Sequence, residues 1–130
     1  MDQVKEWHEI VENRDVNKLS EILSEEVVFY SPILFKPQQG KALTTMYLTG
    51  AMHVLLNGSF KYINEVHSDS YSVFEFEAVV DQIKINGVDI ISWDNKGKIN
   101  QFKVMIRPYS AVNKLKEKMV RLLKTMQPIK

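Results

Sequence analysis

The stretch Gly87–Arg107, GVDIISWDNKGKINQFKVMIR, holds two strand-length runs of alternating apolar residues around Asp94-Asn95-Lys96-Gly97. A tight-turn sequence between two such runs predicts a β-hairpin. In its first strand Asp89 shares a face with Ile91 and Trp93, because side chains two apart in a strand point the same way. A carboxylate on an apolar strand face is costly unless it is paired, kept protonated or facing a cavity. Asp89 is therefore the leading candidate for a functional group.

The hairpin, Ile83–Asp94 and Lys98–Arg107, has strand neighbours on its N-terminal side. Tyr71–Asp81 places Phe74, Phe76, Ala78 and Val80 on one face, with Glu75, Glu77 and Asp81 on the other. That alternation predicts one buried and one wetter face. Phe60–His67 predicts a further strand, and Lys98–Arg107 groups Phe102, Val104 and Ile106 on one face. Earlier in the chain, Lys41–Leu56 predicts a helix that Asn57-Gly58 stops. Val27–Tyr30 reads as a strand, and Pro32 and Pro37 put residues 31–39 in an irregular loop. Val4, Trp7, Ile10 and Val11 keep helical spacing, and Asp15 caps a second short helix whose stripe is Val16, Leu19, Ile22 and Leu23. Pro108 ends the sheet, and Ser110 caps a final helix with a stripe of Val112, Leu115, Met119, Leu122 and Met126. Helices first and four antiparallel strands after them make the fold α+β. A sheet bent strongly against helices leaves a concave apolar interior, the usual form of a small-molecule site.

Neither a repeat nor a Pro/Gly/Ser-rich linker divides the chain, so residues 1–130 are expected to form a single domain. Seventeen basic against sixteen acidic residues leave a net charge of +1, which argues against nucleic acid or an anionic membrane as partner. With zero cysteines, disulfides, thiolate metal sites and a cysteine nucleophile are excluded. The charged start, MDQVKEWHEIVENRD, lacks the apolar segment of a signal peptide, so a cytoplasmic location is expected. His8, His53 and His67 show no metal-ligand spacing, and no cofactor or metal is expected. Gly87 and Gly97 read as turn residues rather than parts of a phosphate loop. The basic run Lys114–Lys124 alternates with an apolar stripe, as the solvated side of an amphipathic helix does.

Several short motifs, taken in order, resemble one family. They are Asn13-Arg14-Asp15, Phe29-Tyr30-Ser31-Pro32, Gly40 opening the long helix, Gly87-Val88-Asp89, and Trp93-Asp94-Asn95-Lys96-Gly97-Lys98-Ile99. Arg107-Pro108 followed by Ser110-Ala111 resembles the strand end and next helix of many bacterial members. The chain thus resembles the nuclear-transport-factor-2-like superfamily, with its SnoaL-like and ketosteroid-isomerase-like branches and cystatin-like fold. That resemblance implies N-terminal helices packed on a strongly curved, mainly antiparallel mixed sheet. Together they form a cone with an internal pocket, plus a C-terminal helix. It also implies a homodimer built through the outer face of the sheet.

Ketosteroid isomerases use an aspartate base with a tyrosine and a protonated aspartic acid as donors. Laid over this chain, the protonated acid falls on Asp89, the tyrosine on Trp7, and the base on Ser31. A serine cannot remove a carbon-bound proton, so the resemblance argues against that activity. In other members an Asp–Arg–Asp arrangement activates water. Here Arg107 alternates with Phe102, Val104 and Ile106, so strand parity turns it away from the pocket.

Three readings follow. The first is a domain that binds a small hydrophobic molecule carrying a polar group. Asp89 anchors it in an apolar conical pocket lined by Trp7, Tyr30, Ser31, Tyr47, Phe74, Phe76, Trp93, Phe102 and Val104. The second is a SnoaL-like isomerase, cyclase or hydrolase acting on a hydrophobic carbonyl compound, with Asp89 as catalytic residue. The third is a non-catalytic dimeric interaction module whose cone is filled by these same rings. A cavity of about 300 Å³ or more favours the first two.

Overall fold

The structure, a computed structural model, describes residues 2–126. Helix α1 (Asp2–Asn13) buries Trp7 and Ile10. Helix α2 (Val16–Ile22) starts at Asp15, whose side chain accepts the Lys18 amide at 3.1 Å. Its buried residues are Leu19 and Ile22, while Val16, expected in that stripe, is 40% exposed. Strand β1 (Leu23–Tyr30) begins four residues before the expected Val27. The polar run Ser24-Glu25-Glu26 conceals this start, and the pairing register of β1 shifts between Leu23 and Val28. Two residues of the expected loop form β2 (Gln38–Gln39), paired antiparallel with β1.

Helix α3 (Lys41–Leu55) is followed by β3 (Lys61–His67), β4 (Tyr71–Val80), β5 (Ile83–Trp93) and β6 (Ile99–Arg107). Helix α4 (Tyr109–Met126) buries Ala111, Leu115 and Met119; the side chain of Met126, expected in its stripe, lies outside the described residues. No described helix is long and apolar enough to cross a membrane. The six strands form one sheet in the order β2-β1-β6-β5-β4-β3, antiparallel except for the β1–β6 pair.

The β5–β6 turn follows its sequence: the Asp94 carboxylate accepts the Lys96 and Lys98 amides, both at 2.9 Å, and Gly97 takes φ +75°. Gly87 is different. It lies inside β5 rather than at a turn, paired with Phe76 and Ile106. Register shifts at Tyr62/Asn64, Ser92/Trp93 and Leu23/Val28 add bends to the sheet.

The concave face carries two apolar clusters. One gathers Trp7, Ile10, Phe29, Phe74, Ile91, Trp93 and Phe102 under α1 and α2. The other gathers Leu55, Phe76, Ala78, Val80, Ile85, Leu115 and Met119 under α3 and α4. Tyr47, Tyr62 and Val104 pack against both.

Candidate functional site

Where the two clusters meet, they leave a cavity of about 220 Å³. Parity along β5 alternates buried with half-buried residues, and Asp89 falls on the buried side, opposite Phe74 of β4 and Val104 of β6. It is 7% exposed and reaches the cavity wall. Val11, Phe29, Leu48, Met52, Phe60 and Ile106 give the wall its apolar character, and α4 adds Leu115, Met119 and Leu123. Leu34 and Val120, each 46% exposed, mark where the lining reaches solvent.

The Tyr62 hydroxyl donates to Asp89 Oδ2 at 2.5 Å, and the Trp7 indole N–H donates to that same hydroxyl oxygen at 3.1 Å. Burial pushes the Asp89 carboxyl up to about 7, against the opposing effect of the Tyr62 hydrogen bond. Burial first, and the neighbouring Asp89 second, push the Tyr62 phenol well above its ordinary value. Tyr62 therefore stays neutral and keeps its proton on Asp89. At Oδ2 the carboxyl is an acceptor already in use. When protonated, its remaining oxygen can donate to an acceptor atom of a ligand.

No ion pair reaches Asp89 among the described residues. Arg107 pairs across the sheet with Asn86 and is exposed, as its parity requires. Lys103 stands over the Tyr30 ring, 5.0 Å from its centre.

Seven of the expected lining residues meet at the cavity: Trp7, Ser31, Tyr47, Phe76, Asp89, Phe102 and Val104. Three do not. Tyr30 turns away because strand alternation carries past Phe29, which points inward. Phe74 is fully buried beneath the Tyr62, His8 and His67 rings. Trp93 lies in the core, its indole N–H donating to Ser72 at 2.9 Å. The Ser31 hydroxyl oxygen accepts the Ile33 and Leu34 amides at 2.9 and 3.3 Å, which leaves its proton free. Gly50 serves close helix packing: a Cβ there would stand 3.1 Å from the Met119 methyl.

Tyr62 is the residue that the sequence reading missed. Simple alternation groups it with Asn64 and Val66, and the register shift directly after it breaks that parity. No signal in KYINEVH marks the break. A second surprise lies outside the cavity, where tertiary contact brings His8, Glu65 and His67 together. Glu65 bridges the two rings at 2.8 Å each. Burial raises its carboxyl, but the hydrogen bonds from His8 and His67 outweigh burial and lower it overall. Among the described residues, no three His, Cys, Asp or Glu side chains are arranged to hold a metal ion.

Neither a family model nor a curated protein matches the chain. Solved structures do. A steroid delta-isomerase from Pseudomonas aeruginosa is similar at 33% identity and TM-score 0.90, over 96% of this chain and 91% of that one. An uncharacterised bacterial protein with a cystatin-like fold from Silicibacter pomeroyi follows at 26% identity and TM-score 0.87, over 95% and 86%. A nuclear-transport-factor-2-like protein from Mesorhizobium loti shares the fold at 12% identity and TM-score 0.72, over 82% and 89%.

Proposed function

The chain belongs to the nuclear-transport-factor-2-like superfamily, and on that footing we propose that it binds a small, largely apolar molecule whose acceptor atom meets neutral Asp89. The observation that carries this reading is the isolation of Asp89: a buried acid in an apolar cavity, with Tyr62 as its hydrogen-bonding partner. A volume of 220 Å³ lies above the ~150 Å³ that holds benzene and below the ~300 Å³ of sites for drug-sized ligands. The ligand is correspondingly compact, or it extends through the mouth. The cavity falls short of the ~300 Å³ that would set a binding site apart from a filled cone, and Trp7, Phe76 and Phe102 stand on its wall, but Trp93 and Phe74 pack beneath it and the cone keeps an open volume.

An NMR titration of the Asp89 carboxyl carbon tests the proposal. A midpoint near 7 supports a neutral donor, and one below about 4 overturns it.

A second reading, ketone isomerisation, draws on the likeness to the Pseudomonas steroid delta-isomerase. It needs a base, and the cavity lining contributes one carboxylate, Asp89, with Ser31 at the position of the family's base. Asp89 would have to act ionised. The two readings diverge with pH: conversion of a β,γ-unsaturated ketone, followed by ultraviolet absorbance, would rise above pH 7 if Asp89 were the base. Affinity for a neutral ketone would fall over that range if Asp89 were the donor.

A further inference from the structure

Apart from Asp89, one charged residue lines the cavity. It is Lys116, an exposed residue beside Leu115, Met119, Val120 and Leu123 of α4. Three other basic residues of this segment are occupied, and Lys124 does not line the cavity. Lys118 meets Asp81 at 3.0 Å, Lys114 meets Asp81 and Glu117 at 3.7 Å, and Arg121 meets Glu117 at 3.8 Å. Lys116 makes no ion pair among the described residues. Its neighbours one helical turn away, Val112, Asn113, Met119 and Val120, carry no carboxylate. A lysine on the apolar edge of an amphipathic helix lays its methylenes along the wall and holds its ammonium at the water boundary.

We propose that Lys116 reads the outer end of the ligand, which is therefore an anionic amphiphile: an acceptor at the Asp89 end, an apolar body, and a carboxylate at the mouth. This rests on the reading of the cavity as a binding site. The floor is compatible with such a ligand, because a protonated Asp89 does not repel an anion, and it becomes less so as Asp89 ionises above about 7.

The probes are methyl ketones of increasing chain length with a terminal carboxylate, each compared with its methyl ester by titration calorimetry at pH 6. The carboxylate is expected to bind about fivefold more tightly than the ester at low ionic strength, as for a partly exposed ion pair. Molar salt should shrink that preference. Lys116→Met keeps the apolar stem and removes the ammonium. In that variant, checked for folding by circular dichroism, the acid and its ester should bind with equal affinity. Equal affinity of acid and ester in the natural chain, or a preference that survives Lys116→Met, overturns the role of Lys116 and leaves the cavity reading standing. Failure of every acid and ester to bind overturns both.

Discussion

Asp89 costs the folded protein stability once it ionises, since the cavity offers it one strong donor in place of water. Its folded pKa of about 7 lies above the ordinary carboxyl value, so the folded state holds the proton more tightly than the unfolded chain. The stability this contributes is complete below pH ~4 and is lost as pH rises to ~7, up to roughly 4 kcal/mol. Asp89→Asn removes the titration and keeps an acceptor for Tyr62. In urea unfolding the variant should match the natural protein near pH 4 and exceed it by a few kcal/mol at pH 8. A gain that does not grow with pH would contradict the assignment. Tyr62→Phe removes the hydrogen bond that holds Asp89 down and leaves the Trp7 indole without its acceptor. It should raise the Asp89 midpoint further and cost about 1–3 kcal/mol, read by carbon NMR and urea unfolding. Asp89 was legible because Ile91 and Trp93 flank it at strand period. Its partner was not, because Tyr62 sits at a bulge that no residue type announces.

At the level of elements, the meander and both long helices were legible, since their periods hold over most of each element even where bulges at Tyr62/Asn64 and Ser92/Trp93 interrupt the strands. Of β1, the half from Val27 to Tyr30 was legible and the start at Leu23 was not, because the polar run Ser24-Glu25-Glu26 and the register shift separate the two. Gly87 shows the same limit. As a residue type it signals a turn, yet it lies mid-strand because Phe76 needs its space. A Cβ there would stand 2.5 Å from the Phe76 ring and 2.7 Å from the Met105 carbonyl oxygen. The carbonyl belongs to a paired strand and cannot give way. Gly87→Ala should therefore cost about 1–3 kcal/mol by overpacking. It should also displace Phe76, a cavity wall, so a thermal melt and the affinity for a methyl ketone probe should worsen together. Lost stability with unchanged affinity would show that the ring had moved elsewhere.

For the whole molecule, the convex side of the sheet is the feature that a lone chain leaves open. Val66 is 71% exposed, Met105 50%, and Tyr71 and Val79 lie on the same outward parity. Family membership leads us to expect a second copy over this face. Light scattering at micromolar concentration should give twice the 15.1 kDa chain mass, and Met105→Lys should return it to one. A single-chain mass for the natural protein would refute the dimer. Sequence periodicity resolves faces within one chain, and the choice between water and a twin for an outward face lies beyond it.

Of the elements that enclose the cavity, α4 is the last to be synthesised. Leu115, Met119 and Leu123 cover Phe76 and Ile106, so that side of the cavity closes only once the last helix has emerged. The ligand proposed above could therefore be held on all sides only after that final helix has packed.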